Sequence, residues 1–151
     1  MGYIREKLGK VLGRRPSAIQ TAALCMDPDR GNVLLITSRD TGRWIIPKGW
    51  PMPGYSLAEA AAQEAWEEAG VRGKLLPKSV GEYRYDKRQD QGFAVPIDTH
   101  VFRIDVASLE QNYPEAGQRE RRWFSPQKAA ELVDEVELKK LLRLLPPLLP
   151  R

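Results

Sequence analysis

The stretch Gly49-Trp-Pro-Met-Pro-Gly-Tyr-Ser-Leu-Ala-Glu-Ala-Ala-Ala-Gln-Glu-Ala-Trp-Glu-Glu-Ala-Gly-Val71 reads as an irregular loop running into a helix. Pro47, Pro51 and Pro53 fix φ at three places, while Gly49 and Gly54 free the backbone between them, so the loop can follow neither a helix nor a strand. Ser56, with Glu59 three residues on, predicts a capping box, and Gly70 predicts the left-handed residue that ends the helix. At about 100° per residue, Ala58, Ala62, Ala65 and Ala69 share one narrow stripe. Glu64, Glu67 and Glu68 share another face and rise over only about 6 Å. Small apolar side chains on the first face let a helix lie close against a sheet. Three carboxylates on the second repel one another unless a cation joins them.

The acidic face has two readings: the solvated side of a surface helix, or a site for a hard divalent ion. The proline-glycine loop favours the second, because it offers backbone carbonyls and amides to the same place. Carboxylate and carbonyl oxygens suit Mg2+, with Mn2+ as the alternative, and do not suit zinc. Magnesium binds diphosphates and neutralises the charge that develops as a phosphorus–oxygen bond breaks, and a nearby glutamate can accept the proton of an attacking water.

The spacing of Gly49, Glu64, Glu67, Glu68, Gly70 and Val71 resembles the signature of the Nudix hydrolases. That signature is a glycine, five residues, Glu, seven residues, Arg-Glu, an aliphatic residue, any residue, Glu-Glu, any residue, Gly and an aliphatic residue. Tyr55 stands where the family has its first Glu, Gln63 where it has Arg, and Ala65 where it has a larger aliphatic residue. The lost Glu and Arg are oppositely charged, so the departure reads as a paired replacement, with a neutral Tyr55–Gln63 hydrogen bond as its simplest form.

Carried over by position, the resemblance implies that Glu64 and Glu68 bind metal with the Gly49 carbonyl, and that Glu67 is the general base. Glu59 lies outside the acidic arc and is assigned to capping; Glu120 and Glu82 are the next candidates for the base. Arg43 and Lys48, with Arg39, flank the loop. Arg84, Lys87 and Arg88 lie near a hairpin tip, and Arg119 and Arg121 precede Trp123. These basic residues are the candidates for holding substrate phosphates.

The whole chain sets wider bounds. Its 151 residues, 42% hydrophobic and 29% charged, suit one soluble domain with a real core. The absence of a long apolar run or an apolar leader implies a cytoplasmic protein with no membrane partner. Cys25 is the only cysteine, which excludes an internal disulfide and a cysteine-built metal site. The net charge of +4 favours small polyanions and is too weak to argue for nucleic acid.

In chain order, residues 1–16 form a basic arm, 17–145 the domain and 146–151 a tail. Strands are expected over 19–26 and 33–38, joined by the turn residues 27–32, and a short run at 44–46 leads into the loop. Residues 74–85 and 97–106 should make a long hairpin, with His100 packed or at the surface and not catalytic. Ser125-Pro126 starts a helix through Ala129, Leu132 and Val133, which Leu138, Leu141 and Leu142 either continue or follow as a second helix. These elements indicate an α/β (α+β) domain, and the resemblance sharpens that to the Nudix fold, a mixed β-sheet sandwiched between α-helices.

A narrower likeness covers residues 18–142. Arg43-Trp44-Ile-Ile-Pro47, Glu67-Glu68-Ala-Gly-Val-Arg-Gly-Lys-Leu75 and Arg119-x-Arg121-x-Trp123-Phe124 resemble the diphosphoinositol polyphosphate and diadenosine polyphosphate branch of the family. That branch carries basic residues on its first strand, where this chain has Ile19-Gln20-Thr21. The implied function is Mg-dependent hydrolysis of a phosphoanhydride in a small polyphosphorylated substrate, by a monomer or homodimer, with diadenosine polyphosphate ahead of diphosphoinositol polyphosphate. The alternatives are a nucleotide-sugar or nucleoside triphosphate pyrophosphohydrolase, and a non-catalytic nucleotide-binding module.

Overall fold

The computed structural model describes residues 18–88 and 92–146; the basic arm and residues 147–151 lie outside them. The elements in order are β1 (Ala18–Met26), β2 (Val33–Thr37), β3 (Trp44–Ile45), β4 (Lys48–Gly49), α1 (Leu57–Ala69), β5 (Val71–Arg88), β6 (Ala94–Leu109), β7 (Arg121–Phe124), α2 (Pro126–Leu132) and α3 (Val136–Arg143). All strands join one mixed sheet of order β3-β2-β1-β6-β5, with β4 on β1 and β7 on β2.

Strand β1 is the axis of this sheet. It runs parallel to β6 from Ala18↔Ile97 to Met26↔Asp105 and turns antiparallel into β2 at Met26↔Val33. Both faces of β1 are covered, which is why its sequence is nearly all apolar and shows no alternation. Ala22, Leu24 and Met26 face a core shared with Val33, Leu35, Val101 and the α2 and α3 side chains Ala129, Ala130, Leu138 and Leu142. Ala23 and Cys25 face the opposite core, shared with Leu34, Ile36, Phe102, Ile104 and the α1 alanines Ala58, Ala61, Ala65 and Ala69. Burial pushes the Cys25 thiol up to about 12, so it behaves as a small hydrophobe.

The expected hairpin is longer than its apolar pattern suggested, because β5 extends from Val71 to Arg88 and pairs along β6 with register shifts between Arg72 and Gly81. Residues 121–124, for which no strand was expected, form strand β7 against β2. Of the two expected forms of the C-terminal helical run, the structure has the second: two helices, because Val133 leaves helical geometry at ψ 156° and the chain restarts at Val136.

Candidate active site

Helix α1 begins and ends as its sequence predicts. Ser56 Oγ accepts the Glu59 N–H at 3.0 Å and Glu59 Oε1 accepts the Ser56 N–H at 2.8 Å. Gly70 closes the helix at φ 68°, where a Cβ would meet the Tyr113 ring and the Glu110 carbonyl, so glycine is required for conformation and for space. The buried Thr21 hydroxyl donates to the Leu57 carbonyl at 2.6 Å and ties the first turn to the central strand.

Strand β4 brings the loop to that helix. Thr21 pairs with Gly49 and Ala22 with Lys48 across β1, and the Ala23 N–H donates to the Pro47 carbonyl at 2.9 Å. The Lys48 N–H then points at Glu68 Oε1, 3.3 Å away. Gly49 packs directly against Glu64: an added Cβ would lie 2.3 Å from its Cδ and 2.4 Å from Oε1. The main chain at 48–49 and the carboxylates at 64 and 68 are therefore one unit, assembled by the sheet.

The acidic face is only partly open to solvent. Glu68 is only 8% exposed, and Glu64 and Glu67 are half-buried. Glu64, Glu67 and Glu68 line one cleft of about 480 Å³ with Gly49, Lys48, Gln20, Arg39, Trp50, Lys87 and Glu115. Burial and the neighbouring carboxylates of Glu68, Glu67 and Glu115 push Glu64 up to about 8. Burial also raises Glu68, opposed by the Arg119 guanidinium and the Lys48 N–H. Glu64 and Glu68 titrate as a coupled pair, both raised by burial.

Among the described residues no three His, Cys, Asp or Glu side chains form a closed ligand cage. The donor set suits an ion that keeps part of its water shell: two adjoining carboxylates, one of them packed against a Gly49 backbone that has no room for a Cβ. These donors are oxygens, which suits a hard divalent cation.

The basic candidates are dispersed. Lys48 and Lys87 line the cleft. Lys48 Nζ donates to the Tyr85 hydroxyl at 3.1 Å, which donates to Gln20 Oε1 at 2.5 Å, and burial holds the lysine below its ordinary range. Arg119 stands behind the cleft, with its side chain 8% exposed, 3.7 Å from Glu68, bonded to Glu115 and donating to the Thr37 carbonyl. Arg121 donates to the Ala69 carbonyl at 2.7 Å and stacks on Tyr113, so it caps the end of α1 outside the cleft. Arg43 pairs with Asp134 at 2.7 Å and Glu135 at 3.5 Å, and Arg84 pairs with Asp98 at 2.8 Å; both line a separate depression by the α2–α3 junction. The Arg88 side chain lies outside the described set.

The remaining acids and the histidine also have partners elsewhere. His100 Nδ1 meets Glu82 at 2.8 Å across β5 and β6, and Glu120 pairs with Arg122, so neither alternative base lines the cleft. Tyr55 is 52% exposed and makes no side-chain hydrogen bond with Gln63. The neutral bond expected to replace the family's ion pair is absent; the capping box and the β4–β1 pairing hold the loop instead. Gln20, Trp50 and Glu115 line the cleft without having been singled out from the sequence, and Tyr85 bears on it only through its bond to Lys48. Only Gln20 carried a signal, as a buried polar residue in an apolar strand.

A mixed sheet between helices, with a glycine-led loop and three helical glutamates at one cleft, is the arrangement of a Nudix domain. The chain belongs to that family: the NUDIX domain model matches residues 17–145. Nudix hydrolase 4 of Arabidopsis thaliana is 34% identical over 100 residues, which are 66% of this chain and 46% of that protein. Diphosphoinositol polyphosphate phosphohydrolase 3-alpha of Mus musculus is 31% identical over 118 residues, 76% of this chain and 68% of its own. The C. elegans Ap4A hydrolase crystal structure is similar in fold, with a TM-score of 0.58 and 17% identity over 84% of this chain and 94% of that one. The chain spans about half the length of the plant Nudix hydrolases it matches. No helix among the described residues is long and apolar enough to cross a membrane.

Proposed function

We propose that this chain hydrolyses a phosphoanhydride bond in a small polyphosphorylated substrate with the help of magnesium or manganese. The observation that carries this reading is the convergence of the Gly49 backbone, Glu64, Glu67 and Glu68 on one cleft that also holds Lys48 and Lys87. Glu64, Glu68 and the Gly49 carbonyl hold the ion. When bound, it neutralises charge on the phosphate oxygens as the bond breaks.

The chain's own groups supply the rest. Glu67 accepts the proton of the attacking water as its oxygen bonds to phosphorus and the bridging oxygen leaves with the bond's electron pair. Lys48, anchored through Tyr85 to Gln20, and the exposed Lys87 bind phosphate. Arg119 acts through Glu68, opposing the burial that would keep it protonated. The substrate class we favour is diadenosine polyphosphate, ahead of diphosphoinositol polyphosphate. The cleft's described cations Arg39, Lys48 and Lys87 face four carboxylates, too little positive charge for a densely phosphorylated ring.

The test is a panel of dinucleoside polyphosphates, inositol pyrophosphates, nucleotide sugars and nucleoside triphosphates, with products identified by mass. Activity should require magnesium or manganese and disappear with EDTA. Glu67→Gln should lower kcat by about 10²–10⁴-fold while leaving Mn2+ affinity by calorimetry nearly unchanged. Full activity in Glu67→Gln moves the base elsewhere, and no metal-stimulated hydrolysis of any panel member leaves a binding module.

A further inference from the structure

We infer that Trp50 is a stacking shelf for the nucleobase of the substrate, and so the residue that turns a general phosphate cleft into a nucleotide site; this rests on the reading above. The chain has four tryptophans. Trp44 meets Phe124 edge-on at 5.0 Å, Trp66 lies under Arg72 at 3.5 Å, and Trp123 packs on the α1 core. Trp50 has no such packing role: it is 45% exposed, and it lines the cleft beside the carboxylates.

What sets Trp50 apart is its place: its indole presents a partly exposed flat face at the cleft, where a flat partner can cover it. Its place in the loop makes it rigid. Gly49 before it is pinned to β1 and packed on Glu64, and Pro51 and Pro53 after it restrict the backbone. With the rings of Pro51 and Pro53 and the side chain of Met52 it forms the apolar wall of a cleft whose other walls are mostly charged. A base fits such a wall; an inositol ring, with phosphates on its faces and edge, does not.

The exposed Lys87 ammonium now sits over the indole, 5.1 Å from its centroid. A cation–π contact at an exposed site is weaker than stacking of a base on the same face, so a base displaces the lysine. The released ammonium stays within the cleft, where a phosphate attached to that base would meet it. Recognition of base and phosphate is thus coupled through one flexible side chain.

Diadenosine tetraphosphate and a diphosphoinositol polyphosphate should be assayed with wild type, Trp50→Phe and Trp50→Ala, alongside AMP quenching of tryptophan fluorescence. The expected result is a rise of about 10-fold in KM for the dinucleotide in Trp50→Ala, larger than for the inositol substrate, with most of the affinity restored by phenylalanine. AMP should quench wild type and leave Trp50→Phe fluorescence unchanged. An unaltered dinucleotide KM in Trp50→Ala, or quenching that survives in Trp50→Phe, overturns the inference. If wild type hydrolyses no polyphosphate, the catalytic reading falls and the AMP titration alone decides: quenching lost with Trp50 sustains the shelf, and no quenching in wild type removes it.

Discussion

Gly49 shows how much one residue controls here. Its missing Cβ leaves the space in which the Glu64 carboxylate lies, so Gly49→Ala must push that carboxylate aside. Because the obstructed atoms end a flexible side chain, the fold should survive with nearly unchanged circular dichroism, while Mn2+ affinity falls by about 10-fold or more in calorimetry. The second residue-scale consequence concerns protons. Glu64 is raised from 4.5 to about 8 by burial and its neighbouring carboxylates. A carboxyl that binds its proton more tightly when folded favours folding below its unfolded value, and that contribution is lost as pH rises through the folded one. In EDTA the melting temperature should therefore fall between about pH 5 and pH 9, and Glu64→Gln should flatten that slope. Excess magnesium should flatten it too, by replacing the proton; an equal slope with and without metal would place the ion elsewhere.

At the scale of the element, α1 does two jobs with two faces. Its alanines pack on the sheet and its glutamates line the cleft, so fraying at its start loosens both. Ser56 and Glu59 satisfy donors that would otherwise face water in the first turn. Ser56→Ala should cost about 0.5–2 kcal/mol and lower the melting temperature by several degrees. Glu64, Glu67 and Glu68 lie two to three turns further on, so kcat at low temperature should change little; a large loss of kcat with an intact Tm would mean the cap positions the site directly. The helix was legible because its cap, alanine stripe and glycine stop agree. Strand β7 was not, because only Trp123 and Phe124 of its four residues favour a strand and a run that short shows no periodicity; pairing with β2 makes it a strand.

At the scale of the molecule, the two faces of the sheet are separable. The α2–α3 face carries Leu138 and Leu142, fully buried against the sheet side opposite the α1 face. Leu142→Ala should cost about 2–5 kcal/mol, read as a lower Tm or denaturation midpoint. Activity well below the new Tm should stay close to wild type, since this residue reaches the cleft only through the sheet. An equal loss of activity and stability would show that the two faces move together. By itself the sequence determined the fold class, the hairpins, helix α1 and the shared face of Glu64, Glu67 and Glu68, because caps, periodicity and motif spacing are local and survive in a linear text. The tertiary structure alone decided which charges face the cleft. Arg43, Arg84 and Arg121 are held by Asp134, Asp98 and the Ala69 carbonyl, while Gln20 and Glu115 come to the cleft from distant parts of the chain. Those partners lie up to 91 residues away in the chain, and only the folding of the sheet brings them within hydrogen-bonding range.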